Sequence, residues 1–177
     1  MHALRLHAFG PPENLRYERV PDPEPGPGEV RVAVAAAGVH VIDTALRAGA
    51  TGGGPFPVPA LPAIPGREVA GTVEAVGEGT DPSWLGRRVV AHLGTAPGGY
   101  AELAVTSAER LHALPGHVSE DTAVAGGIGR CSPRTRATRA PASSAPPGVH
   151  RFPLAEAAAA HRAVAGRATI GKVVLRP

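Results

Sequence analysis

Cysteine is nearly absent from the chain. The single Cys131 among 177 residues excludes an internal disulfide framework and a four-cysteine zinc lobe. Aromatic residues make up only 3%, so a core has to be built from Val, Ala, Leu and Ile. Lysine occurs once, at Lys172, while the other basic residues are arginine; with the surplus of Ala, Gly and Pro this reads as coding bias. No apolar run approaches the roughly 18 residues of a membrane span. The opening Met1-His2-Ala3-Leu4-Arg5-Leu6-His7 lacks the apolar stretch of a signal peptide. Both absences predict a cytoplasmic protein with no membrane partner. Acid is missing from residues 130–151, where Arg130, Arg134, Arg136, Arg139 and Arg151 give a local charge of +5. That leaves 13 basic against 15 acidic residues elsewhere, so the net charge of +3 belongs to one segment. The segment has neither interleaved aromatics nor a groove-binding helix, and no specific nucleic-acid partner is expected.

What is present points to a globular, mainly β protein. Apolar residues reach 43% and charged residues 19%, while 23 glycines and 20 prolines demand many turns. Val30, Val32 and Val34 alternate with Arg31, Ala33 and Ala35, the period of a half-buried strand. Further strands are predicted over Val69–Val76, Arg88–Ala91 and Tyr100–Val105, with Gly77-Glu78-Gly79 as a turn. A short helix is predicted over Val41–Ala48, ended by Gly49. Short strands and frequent turns predict a small, partly closed barrel.

Residues 126–151 read differently. Pro133, Pro141, Pro146 and Pro147 stand among Ser, Thr, Arg and Ala without periodicity, the composition of a disordered linker. Cys131 falls in it as an exposed, oxidisable bystander. Order is expected to resume at Phe152. An Ala-rich helix over Leu154–Ala165 places Leu154, Ala157, Ala158, His161 and Val164 on one face, Gly166 stops it, and Ile170–Leu175 reads as a last strand.

Five features, in order, carry a resemblance to a known family: Ala37-Gly38-Val39-His40-Val41-Ile42-Asp43; Pro65-Gly66-Arg67-Glu68-Val69-Ala70-Gly71-Thr72-Val73; Gly98-Gly99-Tyr100-Ala101-Glu102; Leu114-Pro115 with Val118-Ser119-Glu120-Asp121; and Phe152-Pro153-Leu154-Ala155-Glu156-Ala157 with Ile170-Gly171-Lys172-Val173-Val174-Leu175. The chain resembles the medium-chain dehydrogenase/reductase superfamily, in its zinc-independent NADPH:quinone oxidoreductase branch. The resemblance implies a GroES-like catalytic domain over residues 1–125, completed by a C-terminal helix and strand over 152–177. It also implies NADPH as cofactor and a quinone or enone as substrate. The Rossmann cofactor domain is expected to be absent. A βαβ unit needs about 30 residues or more, and only 22 lie between 130 and 151.

The same comparison supplies candidate site residues. Gly126, Gly127 and Gly129 resemble a phosphate loop, for which Thr122–Ala125 would have to be the preceding strand. Pro133 follows too soon for the helix such a loop opens, and a flexible exit from the barrel is the expected reading. His40 and Asp43 line the substrate cleft by resemblance, with His40 placed to donate a proton near neutral pH. No zinc is expected. His40 stands where zinc-dependent relatives carry cysteine, Arg67 stands where they carry histidine, and a guanidinium does not ligate. Arg67 and Glu68 are expected to form an ion pair at the barrel mouth, and His161 to sit at the surface or boundary. Loss of the cofactor domain is expected to expose an apolar flank and favour self-association. Two functions stay open: an oxidoreductase that is inactive in this form, or a non-catalytic GroES-like binding module.

Overall fold

The computed structural model describes residues 1–50, 58–94, 98–126 and 148–177. Strands β1 (His2–Leu6) and β2 (Leu15–Arg19) pair as an antiparallel ribbon. Next come β3 (Glu29–Val39), helix α1 (Val41–Arg47), β4 (Glu68–Val76), β5 (Arg88–His92), β6 (Leu103–Ser107) and β7 (Leu111–Ala113). Helix α2 (Glu120–Gly126) ends the first segment; β8 (Val149–Pro153), α3 (Ala157–Ala165) and β9 (Lys172–Arg176) form the second. The main sheet runs β7-β5-β4-β3-β9-β8, with β6 also paired to β3. It curls around its core without closing, so the fold is the mainly β, GroES-like one expected. Among the described residues there is no doubly wound sheet.

Strand β3 organises the molecule. Its first half pairs with β4 and β6, and its second half with β4 and β9. Alternation of burial holds through Val34, but Ala36, Ala37, Gly38 and Val39 are all buried. There the strand is covered on both faces, which erases the period-two signal. One face packs on the main core of Leu4, Leu6, Val32, Val69, Tyr100 and their neighbours. The other carries a second cluster in which Ala123 and Val124 of α2 pack on Ala36, Ala70, Val90 and Val174. Helix α2 thus covers this face of the sheet.

The C-terminal segment joins this sheet through β9 and β8. Strand β8 starts at Val149, before Phe152, and pairs in parallel with β9. A 3-10 turn over Leu154–Glu156 precedes α3, and the last strand starts at Lys172; Ile170 lies outside it, 94% exposed. Tyr100 precedes β6 and belongs to no strand, its backbone N–H bonding Pro65 O at 2.9 Å. Thr122–Ala125 lie in α2, a helix and not the strand a phosphate loop requires. Ser119 starts that helix: its hydroxyl accepts the Thr122 N–H at 3.2 Å, and Glu120 and Asp121 occupy the first turn, where negative charge is favoured.

Candidate active site

The candidate site lies where β3 hands over to α1 and β9 comes alongside. Val39 pairs with Val173, so His40 and Lys172, the next residues outward on each strand, become neighbours. Glu68, at the start of β4, pairs with Gly38 and reaches the same point. The glycine is required: a Cβ at Gly38 would lie 2.7 Å from Val124 Cγ1, 2.9 Å from Lys172 Cε and 3.0 Å from Glu68 Oε2.

Three polar groups meet there. Glu68 Oε2 is 3.0 Å from His40 Nε2 and 3.1 Å from Lys172 Nζ, and Lys172 Nζ is 3.0 Å from His40 Nε2. The three contacts cannot all be direct hydrogen bonds of one neutral imidazole. Nε2–H can donate to Glu68, with Nδ1 (3.4 Å from Nζ) turned toward the ammonium, or Nε2 can accept from Lys172 while Glu68 accepts only from Lys172. The two arrangements differ in which imidazole nitrogen carries the proton, and in both Glu68 is an acceptor. Glu68 is buried, while His40 keeps a third of its side chain exposed and Lys172 about a sixth. Burial pushes the Glu68 carboxyl upward, but the His40 hydrogen bond and the Lys172 charge more than offset it and hold the group below its usual range. The more exposed side of the cluster therefore presents the Lys172 ammonium and the His40 ring, with the buried Glu68 carboxylate behind them.

A second layer fixes the first. The Asp43 carboxylate accepts the His40 backbone N–H at 2.9 Å, closing the first turn of α1, and the Tyr100 hydroxyl at 3.0 Å. Arg67 Nε lies 3.8 Å from its other oxygen, and Arg67 Nη1 donates to Gly94 O at 2.8 Å. Burial raises the Asp43 carboxyl despite these partners, and burial together with Asp43 raises the Tyr100 hydroxyl well above its usual value. Gly66 has φ +93° with the Tyr100 ring against it: a Cβ would lie 2.3 Å from Cδ1. The expected Arg67–Glu68 ion pair is not what forms. Adjacent residues in a strand face opposite ways, so Arg67 turns to Asp43 and Glu68 to Lys172 and His40.

His40 and Asp43 are thus brought to one place, His40 partly exposed and Asp43 buried with its carboxylate on the His40 backbone N–H. Gly126 ends α2, outside this cluster; Gly127, Gly129 and Cys131 lie outside the described residues. Glu68, expected only as the ion-pair partner of Arg67, completes the arrangement with Lys172 and Tyr100, which sequence reasoning did not assign. The signal for Lys172 was available: it is the one position where the chain keeps lysine. His161 is not a surface residue but fully buried in α3, its ring edge-on to Tyr100 at a centroid distance of 5.7 Å. Among the described residues no three metal-binding side chains gather, and no helix is long and apolar enough to cross a membrane.

Comparison with known proteins agrees with this geometry. Residues 26–116 match the family model for the alcohol dehydrogenase GroES-like domain. The quinone oxidoreductase of Lama guanicoe is 37% identical over 129 residues, covering 72% of this chain and 38% of that protein. The crystal structure of Escherichia coli quinone oxidoreductase complexed with NADPH superposes with a TM-score of 0.66 at 31% identity, over 73% of this chain and 38% of that one. A crystal structure described as an NAD-dependent alcohol dehydrogenase is matched over 100% of both chains with a TM-score of 0.80. At 20% identity that match speaks for the fold alone. The chain spans a little over a third of the curated relatives it matches.

Proposed function

On the premise that this chain belongs to the alcohol dehydrogenase GroES-like family, in the quinone oxidoreductase-like branch of the medium-chain dehydrogenase/reductase superfamily, we propose that it is the substrate side of an NADPH-dependent quinone or enone reductase, inactive by itself. The Lys172–His40–Glu68 cluster carries the reading. A quinone or enone accepts hydride at carbon and develops negative charge on oxygen. An oxygen held against Lys172 and His40 meets a fixed positive charge and a proton donor, and such preorganised stabilisation acts where charge develops. Glu68 pairs with Lys172 and aims it, and Asp43 anchors the His40 backbone. Val41 and Ile170, 72% and 94% exposed, flank this pair in sequence and offer apolar surface to a planar ring or to a second copy of the chain.

The described residues do not fit a dinucleotide. The glycines proposed as a phosphate loop follow a helix, α2, where such a loop follows a strand, and β8–α3–β9 is the single parallel crossover described. The proposed role of this chain is therefore to bind, orient and protonate the acceptor. The test is calorimetry of the full chain with NADPH and, separately, with duroquinone, whose fully substituted ring adds thiols poorly. The expected result is duroquinone binding that Lys172→Met and His40→Ala weaken, with no NADPH binding and no NADPH oxidation. Saturable NADPH binding would refute the inactivity; duroquinone binding indifferent to both substitutions would refute the site.

A further inference from the structure

In the last turn of α1, Arg47 is buried with 7% exposure. Its Nη1 donates to the Gly10 carbonyl, and its Nε, buried, has no hydrogen-bond partner among the described residues. No carboxylate lies within ion-pairing distance among the described residues. Asp43, one turn earlier on α1, has its oxygens committed to His40 N–H, the Tyr100 hydroxyl and Arg67. Glu13 acts on Arg47 only through space, being exposed and paired with Arg162. The remaining segments, 51–57, 95–97 and 127–147, contain no Asp or Glu, so their sequence cannot supply the missing charge. A buried cation without a counter-charge is costly, and folded chains neutralise or pair it.

Next to this guanidinium is a small cavity of about 20 Å³ between α1 and the chain at 59–67, lined by Arg47, Arg67 and Asp43 and walled by Leu6, Pro59 and Ala63. That is room for one water-sized or slightly larger guest. Two cations and one carboxylate line it, leaving a net positive charge. A water molecule would fill the space and leave that charge unmatched. An anion of the same size would match it and accept from guanidinium donors. We propose that this cavity binds a single small inorganic monoanion of chloride size, with Arg47 as its principal ligand and Arg67 adding charge from the opposite wall. His161, fully buried and within electrostatic reach of Arg47, feels the same unmatched charge but does not line the cavity. The anion belongs to the scaffold behind the cleft and is independent of the function proposed above.

The test is thermal melting of the full chain in sodium chloride and in sodium gluconate at equal ionic strength, gluconate being too large for the cavity. At chloride about tenfold above its dissociation constant, the melting temperature should rise by about 3–6 °C more in the wild type than in Arg47→Met. Chloride NMR line width on the wild type keeps the proposal testable if that variant fails to fold. Saturable broadening that disappears on unfolding in urea supports it. No broadening, or a chloride effect on melting that Arg47→Met retains, overturns it and leaves water as the guest.

Discussion

Replacing His161 with leucine isolates the most perturbed imidazole in the chain. His161 sits in α3, fully buried, with neither ring nitrogen hydrogen-bonded among the described residues. Burial, reinforced by the Arg47 charge, lowers it from 6.5 to about 4. The unfolded chain takes up this proton near 6.5, and the folded chain does not until about 4. Between these values the unfolded state binds more protons, so stability falls as the solution is acidified through that window and is fully present above it. The difference corresponds to about 3 kcal/mol, a large part of the total stability of a small domain. Asp43, raised by burial, has the opposite sign: its contribution is present below its unfolded value and lost as pH rises through the folded one. Glu68, lowered, contributes above the usual glutamate range and loses it as pH falls through its folded value.

His161→Leu leaves both carboxylates in place, so the difference between variant and wild type reports the imidazole. Urea unfolding at fixed ionic strength, between about pH 7.5 and pH 4.5, reads that difference. At the upper end the variant should match or exceed the wild type, since it removes two unsatisfied polar atoms and keeps most of the volume. At the lower end it should be more stable by about 2–3 kcal/mol. Parallel stability–pH curves for the two proteins would refute the reasoning, because they would mean that His161 is solvated or already paired.

Gly38→Ala should destabilise by about 1–3 kcal/mol in chemical denaturation, because its methyl must displace Val124 of α2 as well as Lys172. The same variant should shift the His40 ring resonances, and a stable protein with unchanged resonances would show that the packing there is looser than described. Lys172→Met should cost about 1–3 kcal/mol near neutral pH, with the gap to wild type closing below the carboxylate range, where Glu68 protonates in both proteins; a gap independent of pH would count against the ion pair. Asp121→Asn removes the shared partner of Arg151 (2.5 Å) and Arg176 (2.9 Å) and should lower the melting temperature by several degrees. Hydrogen exchange should then quicken first in β8, and uniform quickening would argue against a local clamp.

The amphipathic period is legible where one face is wet, in the alternating half of β3 and in α1. β4 and β5, buried along consecutive residues, were legible as short apolar runs bounded by turn signals. The signal fails where both faces are covered, as at Ala36–Val39, and where a short apolar run could be helix or strand, as at Thr122–Ala125. There the deciding cue was the Ser119-Glu120-Asp121 start, which favours a helix. The site was half legible. His40 and Asp43 follow from the family pattern, and alternation at Arg67 and Glu68 sets the two side chains facing opposite ways, against the ion pair expected between them. Lys172 lies 132 residues from His40, and no local pattern relates them; only the β3–β9 pairing does. His161 was misplaced because an imidazole on an otherwise apolar helix face was weighed by its polarity and not by the Ala157 and Ala160 around it, which are buried.

The geometry also explains why this fold can accommodate very different material between residues 126 and 148. The last residues of α2 and the first of β8 are fixed to the same sheet, α2 through Ala123 and Val124, and β8 through its ladder with β9. Asp121 then ties the two directly, taking Arg151 of β8 and Arg176 of β9 onto one buried carboxylate. Exit and re-entry points are therefore set by contacts within the domain and not by whatever connects them. The entropic cost of closing a connection grows slowly, by about 0.6 kcal/mol per doubling of a flexible length. A connection anchored at both ends can thus be short, long or a folded unit of its own, provided its ends meet these stubs. Lys172 and α3 both come from the returning segment. The cleft consequently depends on the chain coming back, whereas the length of the detour leaves its residues in place.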